Sequence, residues 1–316
     1  MKVLIDTDAG LDDAISLLLA INLLPKGSVL AVTSVFGNVD LHQVNYNLKE
    51  ILAVTKEPTI PIYSGASEPI VSSVGEKWHG HGVDGLGGAI GIAPFVPAGE
   101  NEAVKAMSKL ARQYPQELTI VCIGPATNIA LAATLDPSFV ANVKEVIFMG
   151  CTLRGMGNTT PHAEFNVASD PEAAHILLSK FADKLTVVSW ETVYDAHLTW
   201  TFYDELVSAP TPTAEFIKRI CSAYVNLRPK DNEEAVPDMN ATHTFVLCDA
   251  YAMALLLEDY TTECSFAVGT VELSHGETRG SCYWKKVENG TRGVKLVHSF
   301  DISRFQAILA QLVHER

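Results

Sequence analysis

Short apolar runs rich in valine and isoleucine alternate with helical patterns along this chain. The runs cover residues 2–6, 29–35, 118–123, 144–149 and 185–190. Their near-continuous hydrophobicity lacks the apolar–polar alternation of a half-exposed strand. Strands that are apolar on both sides must be covered on both faces, as in a parallel sheet flanked by helices. The sequence therefore predicts an open, mostly parallel, Rossmann-like α/β sheet with helices on both faces.

Helical periodicity fills the intervals between these runs, at residues 12–23, 43–55, 101–113, 127–135 and 171–181. The last of these helices has a clear start signal, with Asp170 as N-cap and Pro171 in the first turn. Residues 264–300 predict strands or a hairpin, and residues 302–314 a closing amphipathic helix. Because no linker pattern divides the chain, we expect one domain over residues 1–316, a size that single α/β domains often reach.

The charge balance excludes several classes of partner. With 23 basic and 37 acidic residues the formal charge is −14, so we expect no binding to nucleic acid or to an anionic membrane. No apolar stretch reaches the roughly 20 residues that cross a bilayer, and the first residues lack a signal-peptide pattern. The six cysteines form no CxxC pair, which favours reduced thiols over disulfides or a zinc site. We expect a cytoplasmic protein.

A cluster of four aspartates in the segment DTDAGLDD directly follows the first predicted strand. Ligands of open α/β sheets bind beyond the carboxyl ends of the strands, where this cluster lies. Asp6 and Asp8 are two residues apart and can point to the same face of an extended chain. Asp12 and Asp13 begin a helix, and because adjacent helical residues diverge by about 100°, they serve different ligands. Carboxylates without histidine or thiolate neighbours predict a hard cation, Ca²⁺ or Mg²⁺.

The segment DTDAGLDDA resembles the signature of the calcium-dependent, inosine/uridine-preferring nucleoside hydrolases, which usually have proline where this chain has Ala9. Further family-like stretches follow in order: SVFGN (34–38), HGVDGLGG (81–88), CIGPATNIALAA (122–133), AEFNVASDPEAA (163–174) and CDAYAMAL (248–255). The resemblance implies hydrolysis of the N-glycosidic bond of purine or pyrimidine ribonucleosides to free base and ribose. It also implies a homodimer or a homotetramer.

The resemblance further implies a calcium site with four protein ligands. Asp8, Asp13 and Asp249 would bind Ca²⁺ through their carboxylates, and Ile123 through its backbone carbonyl. Water and two ribose hydroxyls would complete the coordination. Asp8 would also orient and deprotonate the attacking Ca²⁺-bound water, so that the reaction inverts the anomeric carbon.

The same resemblance assigns residues to the sugar. Asp12 and Asn38 would hold the ribose hydroxyls. The far side of the sugar and its 5′-hydroxyl would be bound by Asn158, Glu164 and Asn166. A carboxylate-rich pocket of this kind stabilises the positive charge that develops on the ribosyl group as the glycosidic bond breaks.

Recognition and protonation of the base are less determined by the sequence. His81 would lie near the pocket rim, and Trp78 either stacks on the base or packs beneath its loop. Better-known family members carry a proton-donating histidine where this chain has Cys248. A thiol with an ordinary pKa near 8.5 does not simply inherit that role, so this cysteine either packs in the pocket wall or donates a proton. The other candidate donors are solvent, His79, His81, His243 and Tyr224.

Two stretches broken by glycine or proline, residues 64–100 and 226–244, predict loops over the site. Trp190, at the end of an apolar run, and Phe165, between two of the sugar-binding candidates, are predicted as core residues.

Two alternative functions use the same residues differently. DTDAG at a strand end also resembles the nucleophile segment of haloacid-dehalogenase-type phosphatases, which would release phosphate from small phosphoesters. Cys248 in place of histidine favours a catalytically silent, Ca²⁺-dependent nucleoside binder. Free base and ribose as products would distinguish the hydrolase from both.

Overall fold

The computed structural model describes residues 1–76, 79–93, 101–228, 244–287 and 293–314. The strands in this part of the chain are β1 (Lys2–Thr7), β2 (Val29–Ser34), β3 (Ile62–Tyr63), β4 (Leu118–Cys122), β5 (Val143–Met149), β6 (Leu185–Val188), β7 (Thr261–Val271), β8 (Cys282–Lys286) and β9 (Val294–Phe300). The helices are α1 (Leu11–Leu23), α2 (Leu41–Ala53), α3 (Glu102–Gln113), α4 (Thr127–Leu135), α5 (Phe139–Asn142), α6 (Phe165–Ser169), α7 (Pro171–Lys180), α8 (Trp190–Asp195), α9 (Trp200–Leu206), α10 (Pro212–Ile220), α11 (Ser222–Val225), α12 (Cys248–Ala254) and α13 (Ile302–His314). Short 3₁₀ turns cover His79–His81 and Ala182–Lys184.

The described strands form one sheet in the order β3-β2-β1-β4-β5-β6-β9-β7-β8. The seven strands from β3 to β9 in this order pair in parallel. Strand β7 pairs antiparallel with both β9 and β8. The predicted open, mostly parallel α/β sheet is confirmed.

The strand order reverses beside β1. Strands β2 and β3 extend the sheet on one side of β1, while β4, β5 and β6 extend it on the other. In the register, Asp6 of β1 is opposite Thr33 of β2 and Cys122 of β4, so these three strands end at one edge. Such a switch point leaves a crevice beyond the strand ends, where open α/β sheets bind their ligands.

Both faces of the sheet pack against helices, which explains the absence of apolar–polar alternation in the strands. Val3 and Ile5 of β1 belong to one buried cluster, with residues of α1, α12 and α13. Leu4 points the other way, into a second cluster with residues of α3, α4 and α7. Because successive side chains of a strand face opposite sides, apolar residues predominate on both faces of a doubly covered strand.

Each predicted strand or helix overlaps an observed one, but helices α5, α6 and α8 to α12 were not predicted. The run at residues 185–190 ends as a strand at Val188, because the Ser189 side chain accepts the backbone N–H of Thr192 and caps helix α8. Strand β3, only two residues long, was not predicted. Asp170 caps α7 as expected, its side chain accepting the N–H of Ala173 at 3.0 Å. None of the helices in the described ranges has both the length and the apolarity needed to cross a bilayer.

Candidate active site

A cavity lies at the carboxyl edge of the sheet, beside the switch point. Segments distant in sequence meet here, from the end of β1 to the start of α12. Its lining residues are Asp8, Leu11, Asp12, Asn38, His81, Ile123, Met149, Asn158, Thr159, Glu164, Phe165, Asn166, Trp190, Tyr224, Val246, Cys248 and Asp249. The cavity thus brings together all of the predicted site residues except two: Asp13, which is fully buried, and Trp78, which lies outside the described residues.

The turn between β1 and α1 is organised by the carboxylate of Asp13. Its Oδ2 accepts the backbone N–H of Gly10 at 2.9 Å. Its Oδ1 accepts the Thr7 hydroxyl and, at 3.3 Å, the backbone N–H of Asp8. Ala9 adopts a left-handed conformation with φ of 50°, which is uncommon outside glycine and reverses the chain between strand and helix. The aspartate-rich turn is therefore held together by one of its own aspartates.

Asp8 has one carboxylate oxygen fixed and the other without a partner. The backbone N–H of Asn38 donates to its Oδ2 at 2.8 Å. Its Oδ1 is buried and has no hydrogen-bond partner among the described residues. Gly37 makes this arrangement possible, since a Cβ at that position would lie 1.9 Å from Oδ2. A buried acceptor without a partner costs free energy unless a ligand or an ion satisfies it.

Three carboxylates form a group with metal-binding spacing. Asp12, Asp13 and Asp249 are buried, and each offers an oxygen within 4.8 Å of the others. Asp12, assigned to the ribose in the sequence analysis, is a member of this group, whereas Asp8 is not. The metal role of Asp8 and of the Ile123 carbonyl stays a prediction, although both residues line the same cavity.

The electrostatics of the cluster favour a bound cation. Burial raises the pKa of Asp8 and Asp249, and the negative charges of neighbouring aspartates raise it further. The pKa of Asp13 is raised by burial and by the charge of Asp12. No lysine or arginine is among the described residues that line the cavity. A divalent cation would offset this uncompensated negative charge, and oxygen donors of this type suit a hard ion.

Asp6 does not converge with Asp8 on the cavity, although the two residues are close in sequence. Its Oδ1 accepts the Thr33 hydroxyl at 2.6 Å and the Asn128 amide at 2.8 Å. Burial raises the pKa of Asp6 to about 7, although these two hydrogen bonds lower it. The reason for the separation is that β1 ends at Thr7, so Asp8 already belongs to the turn.

Glu164, which also lines the cavity, is the N-cap of helix α6. Its carboxylate accepts the N–H groups of Asn166 at 2.7 Å, Val167 at 3.1 Å and Cys151 at 3.0 Å. Burial nevertheless raises the pKa of Glu164 to about 7. Asn158 accepts the N–H of the residue that follows Glu164, at 2.9 Å. These hydrogen bonds fix the side chains of Glu164 and Asn158, which line the same cavity as the aspartates.

The remaining wall carries the candidate proton donors. His81 is nearly buried, and burial lowers its pKa although Asp12 raises it. Tyr224 donates its hydroxyl to the carbonyl of Thr244 at 2.8 Å, and burial raises its pKa. Burial also raises the pKa of Cys248, so this thiol stays protonated at neutral pH. The other two candidates, His243 and the side chain of His79, lie outside the described part of the chain.

Two aromatic residues of the wall were missed by the sequence analysis. Trp190 and Phe165, predicted as core residues, both line the cavity. Trp190 is 4% exposed, so it is also part of the core, and its Nε1–H has no hydrogen-bond partner among the described residues. The position of Trp190 directly after a strand, at the ligand-binding edge of the sheet, was the available signal. Of the two predicted loops, the described residues 79–93 reach the cavity through His81, and residues 94–100 and 229–243 lie outside the described ranges.

Comparison with known proteins agrees with this geometry. A family model described as inosine-uridine preferring nucleoside hydrolase matches residues 3–307. The inosine-uridine preferring nucleoside hydrolase of Crithidia fasciculata is 35% identical over 228 residues, which cover 72% of this chain and 71% of that protein. Uridine nucleosidase 1 of Arabidopsis thaliana is 33% identical over 224 residues, which cover 71% of this chain and 66% of that protein, slightly under two thirds.

The fold comparison extends over the whole chain. A solved inosine-guanosine nucleoside hydrolase superposes with a TM-score of 0.84 at 28% identity, covering 100% of this chain and 99% of that one. The cavity at the switch point, its acidic lining and the match over residues 3–307 have one consistent explanation. This chain belongs to the inosine-uridine preferring nucleoside hydrolase family.

Proposed function

We propose that this protein hydrolyses the N-glycosidic bond of purine or pyrimidine ribonucleosides, in a Ca²⁺-dependent reaction that yields free base and ribose. The observation that carries the proposal is the convergence of Asp8, Asp12, Asp249 and Glu164 at one cavity with amide side chains, with Asp13 in the same carboxylate group. Carboxylates stabilise the positive charge that develops on the ribosyl group, and amides and carboxylates suit its hydroxyls. Membership of the family supports the same reaction.

The carboxylate cluster fits a calcium ion. Asp12, Asp13 and Asp249 offer oxygens at metal-binding spacing, and the unpartnered Oδ1 of Asp8 and the Ile123 carbonyl lie at the same cavity. Ca²⁺ takes six to eight oxygen ligands and accepts irregular geometry, which suits this donor set better than the strict octahedron of Mg²⁺. When bound, the ion would offset the repulsion among the aspartates and lower the pKa of a water beside the sugar.

The chain's own residues would perform the remaining steps. Asp8, held at Oδ2 by the N–H of Asn38, would accept the proton of the attacking water at its unpartnered Oδ1. Asp12 and the side chain of Asn38 would hold the ribose hydroxyls at the same end. Glu164, with Asn158 and Asn166, would bind the 5′-hydroxyl and the far side of the sugar. Because water attacks directly, the anomeric carbon would be inverted.

The test is product analysis. The protein is incubated with Ca²⁺ and a panel of purine and pyrimidine nucleosides, and the bases and ribose are separated and quantified. Free base with an equal amount of ribose supports the hydrolase, and the panel gives the base preference. Release of phosphate from small phosphoesters would support the phosphatase instead. Nucleoside binding without products would support the silent binder.

We also propose that residues 1–316 act as one nucleoside hydrolase domain in a cytoplasmic homodimer or homotetramer. The single sheet supports one domain, and the free thiols of the six cysteines support a cytoplasmic location. Light scattering coupled to size-exclusion chromatography would determine the oligomeric state.

Gly37→Ala is expected to lower kcat by about a hundredfold. The added Cβ would lie 1.9 Å from Oδ2 of Asp8 and 2.8 Å from its Cβ, so the carboxylate must move. Displacing a reacting group by about 1 Å can cost a factor of this size. Steady-state kinetics checks the result, with Gly276→Ala as matched control because its added Cβ meets no atom within 4 Å. Equal activity of both variants would show that the approach of Gly37 to Asp8 does not matter for turnover.

Cys248→Ala is expected to lower kcat less than about threefold. Burial raises the pKa of this thiol, and it packs against the apolar cluster beside α12, as a wall residue does. The kinetics of this variant are compared with those of Cys264→Ala, which removes an exposed thiol on β7. A loss at Cys248 beyond about a hundredfold, about 2.7 kcal/mol, would instead show that the thiol takes part in the reaction.

A further inference from the structure

The glycine-rich loop after the His79–His81 turn is wrapped around one buried carboxylate. Oδ1 of Asp84 accepts the N–H groups of Leu86 at 2.9 Å and Gly88 at 2.7 Å. Its Oδ2 accepts those of Ile90 at 2.9 Å and Gly91 at 2.8 Å. Asp84 is 0% exposed and is not among the cavity-lining residues. It therefore organises the loop from within and does not touch a ligand in the cavity.

The charge state and the backbone both support this arrangement. Burial raises the pKa of Asp84, but the four backbone N–H groups outweigh it and hold the pKa below its ordinary value. The side chain is therefore ionised at neutral pH, and hydrogen bonds to an ionised acceptor are stronger than neutral ones. Gly88 and Gly91 have φ of 79° and 84°, values that L-residues rarely adopt. These glycines let successive N–H groups turn toward one carboxylate.

The loop around Asp84 is linked by hydrogen bonds to the aspartate-rich turn between β1 and α1. The side-chain amide of Asn47 donates to the carbonyls of Asp84 at 2.7 Å and Ala9 at 3.2 Å. Gln43 donates in turn to Asn47 Oδ1 at 2.9 Å and to the carbonyl of Gly91 at 3.0 Å. Helix α2, which carries both amides, thus fixes the loop and the turn relative to one another.

The loop holds His81 next to the start of α1. The N–H of Gly87 donates to the carbonyl of His81 at 2.8 Å. The imidazole Nδ1 accepts the N–H of Leu11 at 3.2 Å, so in the neutral ring the proton is on Nε2. The approach is close, because a Cβ on Gly10 would lie 2.7 Å from Nδ1. A small displacement of the loop would break the hydrogen bond from the N–H of Leu11 to Nδ1. The proton of the neutral ring could then be on either nitrogen.

We propose that Asp84 is a positioning residue that fixes His81 against the first turn of α1 in its Nε2-protonated form. The catalytic relevance of this role rests on the proposed function, because His81 lines the cavity that would hold the nucleoside. The positioning itself follows from the chain of contacts from Asp84 through the loop to His81 and Leu11.

The direct test is the nitrogen spectrum of the histidine rings. Asp84→Asn keeps the size of the side chain but turns an acceptor oxygen into a donor facing two N–H groups. Long-range ¹⁵N correlation spectra of the labelled protein, with His81→Ala for assignment, report the tautomer of His81. We expect the pure Nε2–H signature in the wild type and an exchange-averaged one in Asp84→Asn. The matched control is Asp136→Asn, which removes a half-buried carboxylate that also accepts a backbone N–H and is not among the cavity-lining residues.

A double-mutant cycle tests whether Asp84 acts on catalysis through His81. We expect Asp84→Asn to lower kcat/KM about tenfold or more in the wild type and less than twofold in His81→Ala. Unchanged His81 signals, or equal losses in both backgrounds, would overturn the proposal. Should Asp84→Asn not fold, Asn47→Ala detaches the loop from Ala9 and is expected to change the His81 signals in the same direction. If the wild type releases no base from any nucleoside, the proposed function fails, while the ring signals still decide the role of Asp84.

Discussion

Asp8→Asn is expected to lower kcat by about 10²–10⁴-fold, the range that a general base contributes. The amide has the shape of the carboxylate, and its oxygen can still accept the N–H of Asn38. Its NH₂ group then takes the place of the unpartnered Oδ1 of Asp8, so a donor replaces an acceptor that could bind the attacking water. An amide cannot take up the proton that a carboxylate base accepts from the attacking water.

Steady-state kinetics at saturating Ca²⁺ and nucleoside measures this loss, and a thermal melt shows whether the variant is folded. The control is Asp259→Asn, which removes an exposed carboxylate that accepts the N–H of Thr261 at the start of β7 and is not among the cavity-lining residues. A folded Asp8→Asn protein with near-normal kcat would contradict the assignment of Asp8 as base. An equal loss in the Asp259 variant would point to general damage instead.

The fold was largely predictable because its signals are local. Most strands of the parallel part are largely buried on both faces, so they appear in the sequence as nearly continuous apolar runs, as in the LTIVC segment of β4. The start of α7 was predictable because Asp170 and Pro171 are chemically suited to a helix N-terminus. Strand β3 was not, since two residues are too few to form a pattern.

The site was predictable only in part, because its residues come from distant segments. The crowding of aspartates in DTDAGLDD indicated a cation from the sequence alone, and the structure places Asp12 and Asp13 in a carboxylate group with metal-binding spacing. The third member, Asp249, is far along the chain, and only the family resemblance assigned it to the site. Helix α12 packs against α1 and thereby brings Asp249 to the turn between β1 and α1.

The assignment of each aspartate to the metal or to the sugar depends on side-chain contacts, which a sequence does not show. Asp8 is turned toward the backbone of Asn38, and Asp12 lies with Asp13 and Asp249. The composition of the cavity wall also depends on contacts that a sequence does not show. Trp190 follows an apolar strand and resembles a core residue in sequence, yet it packs in the core and borders the cavity at once.

Removal of Ca²⁺ is expected to abolish turnover and to lower the melting temperature. A ligand that binds only the folded state at a hundred times its Kd stabilises that state by about 2.7 kcal/mol. Unfolding entropy is about 2.1 cal/mol/K per residue, which for a chain of this length corresponds to a shift of about 4 °C. Melting curves with a chelator and with added Ca²⁺ measure the shift, and nucleoside turnover is followed in the same samples.

The calcium shift should also depend on pH in a defined direction. Burial and mutual repulsion raise the pKa of Asp8, Asp13 and Asp249 in the ion-free protein, so protons compete with the cation for these oxygens. As the pH rises, the carboxylates lose their protons, and the stabilisation by Ca²⁺ should grow. Asp249→Asn removes one of the three clustered carboxylates and should reduce the shift strongly, whereas Asp259→Asn should retain it. A melting temperature that is the same with chelator and with Ca²⁺ at every pH would contradict a calcium site at this cluster, because buried carboxylates at this spacing cannot bind a divalent ion without gaining stability from it.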